Sequence, residues 1–157
     1  MRCLALPLAF ALAFVFGACS LQMDLPPGFL RKRSEESGDL RAVTATGGRL
    51  RVRDFAVESH STIAFWADTV RDEFVGRGYR LDDGIDVTDG AGRQGHAFRA
   101  QTVADGEPCG YFVAVFLVPG SWLPWSWDHV RVVEFAAKTA EFDQLGAAIQ
   151  AAVATLR

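Results

Sequence analysis

CGYFVAVFLV, residues 109–118, is apolar throughout apart from Gly110 and the hydroxyl of Tyr111. Successive side chains of a strand point to opposite faces. Tyr111, Val113, Val115 and Leu117 would therefore line one face, and Phe112, Ala114, Phe116 and Val118 the other. A strand apolar on both sides belongs inside a sheet that is covered above and below. The pattern predicts a central strand here and the folding core of a layered domain around it.

Working outward, residues 93–103 read as the partner arm of a hairpin, joined through Ala104-Asp105-Gly106-Glu107-Pro108. If Asp105 and Gly106 form a two-residue turn, Cys109 faces Thr102 and His96 lies far down the ladder. On the other side, residues 119–127 hold Trp122, Trp125 and Trp127 in a loop bounded by Pro119 and broken by Pro124. Two readings stand for these rings. They anchor a partner or rest at a membrane interface, settings that suit an apolar ring with one polar N–H, or they fold back and plug one end of the domain. Residues 129–135 then read as a strand, with Val130, Val132 and Val133 set against Arg131 and Glu134. A closing helix over 139–156 carries Phe142, Leu145, Ile149, Val153 and Leu156 at helical spacing.

Toward the N-terminus, residues 79–87 form a strand interrupted by Asp82-Asp83-Gly84 and followed by Thr88-Asp89-Gly90-Ala91-Gly92. Such an Asp-rich run invites comparison with a calcium loop. Gly84 stands where a third ligand is needed and no closing Glu is correctly spaced, so these carboxylates read as turn residues and no metal is expected. Residues 62–77 form an amphipathic helix, capped by Ser59, Ser61 or Thr62 and stopped by Gly76 and Gly78. Its stripe includes Phe65, Trp66 and Phe74, read as core. Residues 40–45 and 50–57 make a hairpin across Thr46-Gly47-Gly48-Arg49; either a bulge near Arg53 or Asp54 reconciles Phe55 and Val57 with Leu50 and Val52, or the strand ends there. The resulting order is strand, strand, helix, four strands, helix. It predicts an α+β fold, a mainly antiparallel sheet of about six strands with two packing helices.

Residues 21–38, with Pro26, Pro27, Gly28 and the charges of Arg31, Lys32, Arg33, Glu35 and Glu36, read as a flexible tether. Before them, MRCLALPLAFALAFVFGACS (1–20) has one basic residue, an apolar run and small residues ahead of Cys19, the layout of a secretory signal. The run is shorter than the roughly 20 apolar residues of a spanning helix.

FGACS resembles the lipobox of bacterial lipoproteins, in which a cysteine is lipidated on its thiol and becomes the new N-terminus; here that residue is Cys19. Phe16 replaces the usual aliphatic residue three positions before it. The other reading, cleavage after Ala18 without lipid, would place bulky Phe16 where an A-x-A-like site needs a small side chain. The resemblance implies signal residues 1–18 and a lipidated N-terminus at Cys19; with the tether read to residue 38, one α+β domain is left at 39–157. It also implies attachment through acyl chains such as palmitate, at about 0.8 kcal/mol per buried CH₂. In the Gram-negative lipoproteins that this start resembles, a residue other than Asp after the cysteine permits export to the outer membrane, so the resemblance implies, with Ser20, the periplasmic face of that membrane.

Cleavage before Cys19 removes 18 of the 157 residues and leaves 139, the size of one domain with a full core. Removing Arg2 from 16 basic residues leaves 15 against 19 acidic ones, a net charge of −4 that does not draw nucleic acid. Of three cysteines, Cys3 leaves with the signal and Cys19 takes lipid, so only Cys109 stays free and no internal disulfide is expected.

The element order over residues 40–156, with the lipoprotein start, resembles the Mog1/PsbP-like fold, whose members act as binding or assembly factors more than as catalysts. His60, His96, His129 and Cys109 are the candidate reactive groups, and none stands in a catalytic or cofactor-binding motif. The expectation is a non-enzymatic, membrane-anchored envelope lipoprotein that needs no cofactor and contacts another envelope protein or the membrane through Trp122, Trp125 and Trp127. The alternative is a small-molecule-binding or thiol-dependent enzyme domain with a cleft near Cys109.

Overall fold

The computed structural model describes residues 21–33, 39–57, 61–120 and 127–157. Cys19, His60, Trp122 and Trp125 lie outside them. The strands are β1 (Phe29–Lys32), β2 (Asp39–Thr44), β3 (Arg49–Val57), β4 (Arg80–Leu81), β5 (Ile85–Thr88), β6 (Gln94–Ala104), β7 (Glu107–Val118) and β8 (Asp128–Lys138). The helices are α1 (Ile63–Gly76), between β3 and β4, and α2 (Thr139–Val153) at the end. All strand pairs are antiparallel, in the order β1-β2-β3-β8-β7-β6-β4, with β5 also pairing β6. The class is α+β, with eight strands among the described residues where about six were expected. Residues 79–87 divide into β4 and β5, because Asp82 turns the chain: its carboxylate accepts the backbone N–H groups of Gly84 and Arg99. Among the described residues, no helix is long and apolar enough to cross a membrane.

β7 is central, as its two apolar faces require. Asp105 (φ 53°) and Gly106 (φ 80°) make the left-handed two-residue turn that sets the β6–β7 register, with Thr102 opposite Cys109. Phe112, Ala114 and Phe116 face α2, and Tyr111 and Val113 face α1. The helices therefore cover opposite faces, but unequally. α2 buries Phe142, Ile149 and Val153, whereas α1 fully buries only Ala67. α2 approaches closely because Gly110 has no side chain, and a Cβ built there would lie 2.2 Å from Cγ of Phe142. The Phe142 ring instead stacks on Phe135, with centroids 5.8 Å apart.

Three expectations need correction. First, residues 21–33 are not a tether. Leu21, Met23 and Phe29 are buried in the core beneath α2, Phe29 meets the edge of Phe135, and β1 extends the sheet. Alternation at Leu21 and Met23 supplies the apolar face, and backbone pairing of Gln22 with Arg157 satisfies the strap at its start. Second, β3 carries no bulge near Arg53 or Asp54, because residues 49–57 pair one to one with β8. The change of phase is real: Leu50 and Val52 face the α2 side, whereas Phe55 faces the α1 side and stays 43% exposed. Third, Arg131 does not face solvent with Glu134. It shares the α2 side with Val133 and Phe135, is 7% exposed, and binds Asp54 through Nε and Nη2 at 2.8 and 2.9 Å.

Candidate binding surface on the α1 side

α1 starts where the sequence places it, with the Thr62 hydroxyl accepting the N–H of Phe65, and it ends at Gly78 (φ 82°). Its inner residues Ala67, Val70 and Phe74 rest on β6 and β7. The helix crosses one part of the sheet only, and a cleft opens on each flank. Phe65, expected in the core, is 56% exposed and touches Trp66 edge-on, because the helix turns this position away from the sheet.

On the β3 side, a groove of about 310 Å³ is lined by Phe55, Trp66, Val70, Phe74, Val115 and Val130 among others, with Glu73 and Thr69 at its margin. The Trp66 indole N–H donates to Ser61 at 2.6 Å, so the polar edge of that ring is satisfied while its apolar body lines the groove. Beyond the groove, the uncovered sheet is polar. Arg53 donates to Glu134 at 2.8 Å, the Tyr111 hydroxyl donates to the other Glu134 oxygen at 2.7 Å, and Asp39 holds Arg41 and Arg51. Burial disfavours the charged form of Asp39, but hydrogen bonds and attraction from Arg51 and Arg41 outweigh it and hold the carboxyl below its usual range.

Burial, and then the adjacent Glu134 carboxylate, push the Tyr111 phenol well above its ordinary value. The folded state therefore keeps a proton that the unfolded chain releases above about pH 10, and stability falls as pH rises through that region. In an ultraviolet titration of the two tyrosines, the Tyr111 phenolate should form only as the fold is lost. Glu134→Gln should allow it to form earlier.

On the β6 side, a cleft of about 440 Å³ lies between α1 and β5–β6. Asp86 and His96 face each other across that hairpin, with Oδ1 and Nδ1 at 3.0 Å, and the Arg71 guanidinium sits 5.2 Å from the centre of the Phe98 ring. No serine, threonine or cysteine is among the residues lining this cleft. Among the described residues the arrangement offers hydrogen-bonding groups beside apolar wall and places no nucleophile next to the histidine. Sequence reasoning missed the pair, although the turn at residues 89–92 held its signal: closing that turn with Thr88 opposite Gln94 brings Asp86 opposite His96.

The other sequence candidates stand apart. Cys109 is half-buried at the far end of the ladder, its Sγ 3.6 Å from the Glu107 carbonyl oxygen, opposite Thr102 and Lys138. It borders a cleft of about 540 Å³ with Arg80, Gln101 and Thr139. His96 lies six residues further along β6, about 20 Å away, so Cys109 and His96 form no dyad. His129 is placed on β8 opposite Ala56 and Val118. Trp127 immediately precedes β8 and is 51% exposed, and the Asp128 carboxylate accepts the N–H of Gly120, closing the base of the loop. The carboxylates of Asp82 and Asp89 serve backbone amides of their own turns.

Fold and surface together define an antiparallel α+β domain with one tightly packed helix, one thinly packed helix, and clefts on both sides of the latter. Solved structures share this architecture. The chain superposes on LpqN, involved in cell envelope biogenesis of Mycobacterium tuberculosis, with a TM-score of 0.71 and 12% identity, covering 87% of this chain and 82% of that one. It also superposes on PA94, a protein of unknown function from Pseudomonas aeruginosa, with a TM-score of 0.57 and 13% identity, covering 82% and 96%. At such identities the likeness establishes a common fold. No family model and no curated protein matches the sequence.

Proposed function

We propose that this chain is a lipid-anchored lipoprotein of the bacterial cell envelope, acylated at Cys19 and held at the periplasmic face of the outer membrane. It acts there as a non-enzymatic binding or assembly factor for another envelope protein. The observation that carries the binding role is the α1 side: an apolar groove beside a helix whose Phe65 stands out to solvent. Large exposed apolar groups gathered on one face favour a partner that covers them. The lipobox-like FGACS supports the anchor, and LpqN's part in cell envelope biogenesis supports the location.

Photo-crosslinking in intact membranes tests this reading. A crosslinker at Phe65 should give a discrete adduct with one envelope protein, and the same group at exposed Asp143 on α2 should not. Phe65→Ser elsewhere in the experiment should leave the melting temperature nearly unchanged, since the ring is mostly in water already, while a crosslinker at Phe55 loses its adduct. Equal labelling from Phe65 and Asp143 would remove the α1 side as the contact surface.

A further inference from the structure

The strap that replaces the expected tether decides how the domain meets the bilayer. From Leu21 to Asp24 the strap is held against the domain. Leu21 and Met23 are buried, Gln22 and Arg157 exchange backbone hydrogen bonds at 3.2 and 2.9 Å, and the Asp24 N–H donates to the Thr155 hydroxyl at 2.9 Å. Only Ser20 separates Leu21 from Cys19. Two Cα–Cα steps span at most about 7.6 Å, so an acylated Cys19 would hold the start of the strap within about that distance of the lipid headgroups. A domain tied so closely cannot turn freely as it would on a long spacer.

The end of the sheet from which the strap emerges follows from hydrogen bonds and register. The Leu156 carbonyl accepts the N–H of Gly90, and Gly90 lies in the turn between β5 and β6, packed against the Thr155 backbone. That turn is at the end of the sheet where β6 begins, β7 ends and β8 begins. Trp127 enters β8 at this same end, half-exposed, two strands or about 10 Å across from β6. Indole rings are favoured at the boundary between headgroups and hydrocarbon. The opposite end carries the Asp105-Gly106 turn and Cys109, about 36 Å away along the twelve residues of β7.

Building on acylation at Cys19, we propose that the domain sits directly on the bilayer with one fixed end toward it. The turn at residues 89–92, the end of α2 and Trp127 face the lipid headgroups, and the Asp105-Gly106 end points away. The clefts beside α1 then stand upright from the membrane, open to the side.

The test uses the mature acylated chain in vesicles of phosphatidylethanolamine and phosphatidylglycerol. In a Cys109→Ser background, an environment-sensitive fluorophore is attached through Ala91→Cys or through Ala104→Cys, both exposed positions at opposite ends of the sheet. A nitroxide quencher on the lipid headgroup should quench the Ala91 site about threefold or more over the Ala104 site, as their separation along the strands requires. Inserting a Gly-Ser segment of ten residues between Ser20 and Leu21 should reduce that ratio toward one. Equal quenching of the two sites in a chain that floats with vesicles overturns the orientation and leaves the anchor intact. A mature N-terminus whose mass shows no acyl group overturns the anchor, and the orientation with it.

Discussion

Gly110→Val is expected to unfold the domain or leave it only marginally stable. The site is on the central strand β7, beneath α2, and the Cβ of any larger residue would fall 2.2 to 2.7 Å from three atoms of Phe142. Neither side can yield easily. Gly110 is held by the ladder to Gln101 and Ala137, and Phe142 is 7% exposed and stacked on the fully buried Phe135. If the core adjusts around the overlap, the cost is about 1–3 kcal/mol or more; if Phe142 is expelled instead, it is about 3–5 kcal/mol, as for truncation of a buried Phe. Against a total stability of about 5–15 kcal/mol, a loss at the upper end leaves a domain of ordinary stability close to its threshold. Even Gly110→Ala should lower the urea midpoint markedly. Gly76→Ala is the contrasting case: nothing lies within 4 Å of its Cβ position and its φ is not positive. It should be neutral or raise stability by about 0.4–1 kcal/mol. A Gly110→Val domain with a near-native urea midpoint would mean that α2 does not press on β7 as described.

How much of this could be read from sequence depended on whether the signal was local. The Asp105-Gly106 turn fixed the pairing of Thr102 with Cys109 because a two-residue turn leaves no freedom of register. β7 declared itself central because both its faces are apolar, and Thr62 and Gly78 bounded α1 by ordinary capping chemistry. The strap was illegible for the opposite reason. Leu21 and Met23 pack beneath α2, more than 110 positions away in the chain, and a short alternation followed by Pro26-Pro27-Gly28 looks like a linker until that surface is present. Phe55 was read against the phase of Leu50 and Val52, which assumes one buried face along the whole strand; β3 instead changes the side on which it carries its apolar residues. The surface on the α1 side was partly legible. Helical spacing identified Trp66 and Phe74 as an apolar stripe, but Phe65, read with them, lies a single position before Trp66, and the helix turns it away from the sheet and leaves it 56% exposed.

Arg131 gives the second large effect, and its burial decides the sign of each variant. Asp54→Ala would strand the guanidinium on the α2 side of the sheet, opposite the fully buried Phe116. Removing one partner of a buried ion pair costs about 3–5 kcal/mol, because the remaining charge has lost its compensation. Added salt should restore little, since screening acts weakly on buried charges. The pair is not itself a strong source of stability, however: among the described residues Nη1 of Arg131 is buried without a hydrogen-bond partner, a desolvation cost that the bidentate contact only partly offsets. Replacing both residues, as Asp54→Leu with Arg131→Met, should therefore recover most of the loss seen in Asp54→Ala and bring the urea midpoint close to that of the unmodified chain. What the pair contributes is register. Asp54 lies directly opposite Arg131 in the β3–β8 ladder, and a slip by one residue would send every side chain of β3 to the other face, leaving Arg131 buried without its carboxylate. The double variant should match the unmodified chain in stability and differ in hydrogen exchange, with faster exchange along β3. A double variant as unstable as Asp54→Ala would instead make the ion pair a net source of stability.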